Sequence, residues 1–343
     1  MEQTKKRFKF NKKFVLGFAI VVMALIFIAS ICTTIFYFTP TTTFDNVVSA
    51  IANYNYNELT HYVLWEIKVP RILGAIIVGA LLPIGGAVMQ GITKNYLASP
   101  DVVGVNNGAG LGLAISMAIT GGATSYVSNI FCSMIGATIS TILVFHISSR
   151  IKGRESGVKL LLAGNALGML FSGLAVTINI GSGLGSNIYT WNNSGFLGMK
   201  WIGIGVLMIG VVGAIIGIMI SHKITVLGMG DETAVSLGEN VKRIKTLGVI
   251  SVVFISATTV SVVGNIGFVG MILPNMVKMA VGEDYRKVIP ISAVLGAFFL
   301  VFADVISRLI NMPAETPIGA ITSVIGIPIF LYLINSKRSK GAF

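Results

Sequence analysis

The sequence predicts an all-α, polytopic membrane protein of about ten transmembrane helices, some of them short and broken. Three observations carry that reading. The 343 residues are 54% hydrophobic and only 11% charged, with a mean hydropathy of +0.85, whereas soluble domains carry roughly a quarter charged residues. The apolar residues fall in successive runs close to the ~20 residues that a helix needs to cross a bilayer. The basic residues collect beside alternate ends of those runs. Of the 25 Lys and Arg, only Lys68, Arg71, Lys200 and Arg308 fall in segments that the alternation places outside. That is the positive-inside pattern, and it orients both termini toward the cytoplasm of a cell membrane. The net charge of +12 therefore speaks for anionic lipid headgroups and against nucleic acid, whose binding calls for a basic stripe on one folded face.

The elements follow in order. Residues 1–13 form a basic cytoplasmic stretch (Lys5, Lys6, Arg7, Lys9, Lys12, Lys13) ahead of an apolar run at 14–38. That run is too long for a signal peptide and lacks a small-residue cleavage site, so it reads as a retained helix. The second span, 63–90, opens on Lys68, Pro70 and Arg71 and stops in a polar stretch from Gln90 to Asp101. Such a stop between apolar runs requires backbone that is buried in protein or lines a wet path. Spans at 101–120, 125–147, 157–180 and 200–221 follow, separated by short loops. The cytoplasmic loop 222–244 contains a short helix, with Asp231 as N-cap, Glu232 in the first turn and Gly238 as the stop. After 245–264, the span at 268–281 is too short to cross alone, and Asn265-Ile266-Gly267 marks a break before it. Two interrupted spans in corresponding places suggest an inverted repeat around a path. Spans 287–308 and 317–335 complete the set, with Lys337, Arg338 and Lys340 after them. No long polar linker interrupts the pattern, so residues 1–343 are expected to form a single transmembrane domain.

Three ordered motif blocks carry a family resemblance. The first runs from Lys68-Val69-Pro70-Arg71 through Gly85-Gly86-Ala87-Val88-Met89-Gln90-Gly91 and Asn95-Tyr96-Leu97-Ala98-Ser99-Pro100 to Gly104-Val105-Asn106-Asn107-Gly108-Ala109. The second joins Leu160-Leu161-Leu162-Ala163-Gly164, the Trp191–Gly198 loop and Leu227-Gly228 to Leu237-Gly238. The third joins Gly267-Phe268-Val269-Gly270-Met271-Ile272-Leu273-Pro274, Ala303-Asp304, Arg308 and Pro317-Ile318-Gly319 to Gly326-Ile327-Pro328. From about residue 60 to 335 the chain resembles the FecCD-type permeases, membrane subunits of ABC importers for ferric siderophores, haem and cobalamin. The resemblance implies a type II ABC importer permease architecture. It also implies an ABC ATPase dimer, a substrate-binding lipoprotein and a second permease copy or related chain as partners, with a ferric siderophore as cargo and no cofactor. The chain departs from the family at Lys68, where Arg is common, and at Pro274-Asn275, where Pro-His is usual. The missing histidine argues against metal or haem binding at position 275.

The resemblance also implies roles. Lys68, Arg71 and Arg308 would meet carboxylates of the binding protein, steering its docking, although Arg71, one turn deeper, equally suits helix packing. Leu227, Gly228, Asp231, Glu232, Ala234, Leu237 and Gly238 would form the coupling helix that seats on the ATPase. Asn95, Leu97 and Gly157 would form a cytoplasmic gate, with Leu97 able to close a pore by dewetting. Asp304 is an ionisable residue inside a span, and its i,i+4 spacing to Arg308 suits a pair on one helix face.

No catalytic constellation is present. His61, His146 and His222 lack metal-ligand spacing. No Walker A sequence occurs, so ATP hydrolysis would fall to a partner. Cys32 and Cys132, both inside apolar runs, read as buried free thiols. An ion-coupled secondary transporter is the rival class. It calls for several intramembrane ionisable residues, of which Asp304 alone stands out.

Overall fold

The computed structural model describes residues 27–37, 44–55, 57–100, 104–121, 126–151, 156–183, 195–312 and 314–338. Residues 1–13, Lys152 and Arg154, Trp191 and Lys340 lie outside the described residues. Among those described, the helices are α1 (Phe27–Phe36), α2 (Phe44–Ala52), α3 (Leu59–Thr93), α4 (Val105–Ile119), α5 (Tyr126–Arg150), α6 (Ser156–Ser182), α7 (Trp201–Met219), α8 (Ser221–Gly228), α9 (Asp231–Ser236), α10 (Val241–Val263), α11 (Val269–Val281), α12 (Tyr285–Leu309) and α13 (Ile318–Arg338). Helices α3, α5, α6, α7, α10 and α12 are long and apolar enough to cross a membrane, and α1, α4, α11 and α13 are shorter apolar helices. Each of the ten overlaps one expected span, although residues 14–26 of the first span lie outside the described residues. The chain is a multi-pass helical membrane protein.

Helix α3 is the central post. Nearly every residue from Leu81 to Thr93 is buried. It can be so enclosed because glycines let other backbones approach it, as in tight packing between membrane helices. A Cβ on Gly86 would lie 1.7 Å from the Gly270 carbonyl oxygen of α11, and one on Gly296 of α12 would lie 2.0 Å from the Gly79 carbonyl oxygen. In α5 the polarity is reversed: Phe131, Ile135, Ile139 and Ile142 form an exposed apolar stripe suited to lipid. A wider π-type stretch at Val63–Lys68 precedes Pro70 in α3, where a proline ring cannot donate to the preceding turn.

Two elements were not expected. Residues 44–52 form α2, which is tied to α3 by the Trp65 indole donating to the Ala50 carbonyl at 2.9 Å. The run 200–221 does not continue straight. It turns at Ile220 (φ −89, ψ 0) and resumes as α8. Both expected interruptions are present. Thr93 is followed by Lys94 in the left-handed region (φ 53) and then by irregular backbone through Ser99. The break after α10 runs from Gly264 to Phe268 (φ 70).

Candidate functional site

At the Lys68 end of the bundle, charges from α3, α12 and the Glu315 segment converge beside polar groups of α1. Asp304 on α12 accepts from Arg71 on α3 at 2.9 Å and from Arg308, one turn along α12, at 2.9 Å. Arg71 also makes a two-pronged pair with Glu315, at 2.8 Å on each arm, a geometry that suits the guanidinium fork. Arg308 donates to the Thr34 hydroxyl of α1 at 2.6 Å, and Lys68 donates to the Ile35 carbonyl. Lys68, Arg71 and Arg308 are only 5%, 8% and 6% exposed. All three side chains thus turn inward, onto partners within the chain. The i,i+4 pair between Asp304 and Arg308 forms as anticipated. Glu315 was overlooked because it lies outside any span.

At mid-length of the bundle the two interruptions meet. The Asn106 amide, in the first turn of α4, donates to the Asn265 amide oxygen at 2.6 Å. Leu82 of α3, Pro100, Asn106, Gly264 and Ile266 surround the junction. Short helices α4 and α11 therefore both begin deep in the bundle. Asn107 and Asn265 are exposed there, polar groups at a depth where lipid contact is unfavourable.

At the Thr93 end, the loop after α3 is pinned by a polar cluster. Asn95 Oδ1 accepts from the Leu97 N–H at 2.9 Å, closing an Asx turn. Leu97 is half-buried. Gly157 lies in the first turn of α6, but its surroundings are outside the described residues, so only Asn95 and Leu97 are seen together. Lys278 of α11, buried, donates to Gln90 Oε1 at 2.8 Å and lies over the Tyr285 and Tyr96 rings at 4.7 and 5.1 Å. Asn275 donates to the Tyr96 carbonyl at 2.8 Å. Burial and a hydrogen bond to Glu283 push the Tyr96 hydroxyl up to about 12, so it stays a donor. A lysine within an apolar 13-residue helix was the readable signal for this cluster, and sequence reasoning passed over it.

The loop between α8 and α10 projects beyond that same end. Gly230 (φ 130), not Asp231, caps α9. A side chain there would be strained, and the Asp231 carboxylate is engaged elsewhere, bridging Lys94 at 2.6 Å and Lys245 at 2.9 Å. Partial burial raises the Asp231 pKa, but hydrogen bonds from Lys94 and Lys245 outweigh it and hold the group below its ordinary value. Gly238 (φ 81) ends the element as anticipated. Leu227 and Ala234 are fully buried, so Ala234 is a packing residue of the loop and not a contact surface. Gly228 and Glu232 are exposed. The apolar face left open consists of Met229, Val235 and Leu237, at 66%, 62% and 61% exposure.

Comparison with known proteins agrees with this architecture. The model of the FecCD transport family matches residues 22–336. The iron(3+)-hydroxamate import system permease protein FhuB of Bacillus subtilis is 40% identical over 293 residues, covering 85% of this chain and 76% of that one. The vitamin B12 import system permease protein BtuC of Citrobacter koseri is 34% identical over 279 residues, covering 80% and 83%. A solved structure described as an inward-facing conformation of a metal-chelate type ABC transporter superposes with a TM-score of 0.75 at 24% identity, covering 95% of this chain and all of that one. The chain belongs to the FecCD transport family.

Proposed function

We propose that this chain is the transmembrane permease subunit of an ATP-driven ABC importer, and that its cargo is a ferric siderophore. The observation that carries the reading is the tethered loop at the Thr93 end. A six-residue helix is held from below by Asp231 and offers Met229, Val235 and Leu237 outward, a form suited to the groove of a partner ATPase dimer. The permease itself is non-catalytic and forms a single domain, with the loop end and both termini in the cytoplasm. A second copy or a related permease would complete the path between the two chains. The relative named for iron(3+)-hydroxamate import supports that cargo. The relative named for vitamin B12 import keeps cobalamin, and with it haem, as the second reading.

A substrate-binding lipoprotein would deliver the ligand at the Lys68 end. Buried and paired, Lys68, Arg71 and Arg308 act there as positioning residues, holding α1, α3, α12 and the Glu315 segment in the shape that docks. Asn95, Leu97 and Gly157 would form the inner gate. The ion-coupled alternative is disfavoured because Asp304, the one intramembrane acid that stood out in the sequence, is taken up in ion pairs with two arginines. The deciding experiment is uptake of a ferric hydroxamate into proteoliposomes holding the permease, its ATPase and its lipoprotein. Uptake should require internal ATP and the lipoprotein. Uptake that continues without ATP and collapses with an uncoupler would overturn the reading.

A further inference from the structure

Beside the tethered loop, the ends of α3, α5, α6 and α10 border an open cavity of about 690 Å³, within the size range of small-molecule sites. Its floor is apolar: Ile92 and Leu160 are buried, and Phe145 and Val249 are half-buried. Lys159, Lys242 and Lys245 stand around it, Lys159 and Lys245 each also engaged by a further group, and no carboxylate is among the described residues that line it. Two hydroxyls, Ser148 and Ser149, complete the polar side. Each already donates within α5, to the Phe145 carbonyl at 3.0 Å and the His146 carbonyl at 2.7 Å. Their oxygens are thus left to accept. Toward the middle of the bundle the exposed Ile142 of α5 and Ile250 of α10 continue the apolar surface.

We propose that this cavity binds one anionic phospholipid of the phosphatidylglycerol type. Three ammonium groups suit the phosphodiester, the serine oxygens suit hydroxyls of a glycerol headgroup, and the apolar floor with the isoleucines beyond it suits an acyl chain. A basic pocket between spans, at the level where they leave the membrane, is the recurrent form of such sites. A free phosphate would use the lysines but leave the floor unoccupied. The site has a mechanical reach, because Lys245 is also a tether of Asp231. A phosphate drawn to Lys245 competes with Asp231, so lipid occupancy and the seating of α9 are linked.

The test uses the purified transporter with its ATPase, titrated with phosphatidylglycerol in a phosphatidylcholine background and read by native mass spectrometry. The expected result is one retained phosphatidylglycerol per permease chain. The triple variant K159Q/K242Q/K245Q should weaken retention about a hundredfold, from the typical contribution of a lysine near a headgroup. Thr246→Trp places bulk at the exposed rim without changing charge, and should also abolish retention. Wild-type affinity in the triple variant, equal retention of phosphatidylcholine, or displacement of the lipid by millimolar inorganic phosphate would each overturn the proposal.

Discussion

Replacing Asp304 with asparagine tests the charge cluster at the Lys68 end most directly. Asparagine keeps the shape and removes the charge. In the native chain Asp304 lies 2.9 Å from both Arg71 and Arg308, and all three side chains are at most 10% exposed. After the change, Glu315 still serves Arg71, but Arg308 loses its carboxylate hydrogen bond while it retains the Thr34 hydroxyl and the residue-304 carbonyl. Removing one partner from a buried pair costs about 3–5 kcal/mol, because the other charge stays buried and uncompensated. Glu315→Gln is the internal comparison. Its side chain is 28% exposed and leaves Arg71 paired with Asp304, so about 1 kcal/mol is expected. Unfolding in mixed micelles by sodium dodecyl sulfate titration, followed by tryptophan fluorescence, measures both. Arg308→Met in the Asp304→Asn background should recover part of the loss, since it removes the stranded cation. If Asp304→Asn is no more destabilising than Glu315→Gln, the view of Asp304 as the hub of this cluster is wrong.

Other outcomes follow from the same geometry. Gly86→Ala needs a Cβ 1.7 Å from the Gly270 carbonyl oxygen; it should lower the yield of folded protein sharply in size-exclusion profiles, whereas Gly205→Ala on α7, with nothing within 4 Å, should be neutral or slightly stabilising. Asp231 has a depressed pKa, so its bridges contribute fully above the ordinary carboxylate value of 3.8 and are lost as pH falls through the depressed one. Hydrogen exchange across Met229–Gly238 should therefore stay slow at mildly acid pH and quicken only below the usual carboxylate range; Asp231→Asn should remove that transition. Met229→Glu with Leu237→Glu, both at exposed positions, should weaken ATPase co-purification at least tenfold while leaving permease unfolding unchanged, and unaffected co-purification would remove α9 from the contact.

Span number and the two interruptions were legible because hydropathy and the bilayer share one length scale. Both breaks were announced by residues that helices in lipid avoid, Asn95 to Pro100 in one and Asn265 to Gly267 in the other. Helix α2 was not legible, since its hold on the bundle depends on a tryptophan fifteen positions away. The sites were legible as positions but not as orientations. Lys68, Arg71 and Arg308 were grouped at one end, yet sequence cannot say whether a cation near a helix end turns outward or finds Asp304 and Glu315 inside. Ala234 failed likewise: a small residue in a loop helix suits a contact surface or a buried seat, and only packing separates them.

The hydrogen bond between Asn106 and Asn265 bears on how the molecule could change shape. Among the described residues, a neutral amide pair joins the first turn of one half-length helix to the break that precedes the other. Such a bond contributes about 1 kcal/mol net, and exchanging it for contacts with water or with a passing polar molecule is close to even. That link at the midsection therefore carries no strong preference of its own. A machine driven by a distant energy source benefits from that indifference, because the balance between its two states is then left to the molecules that bind at its ends.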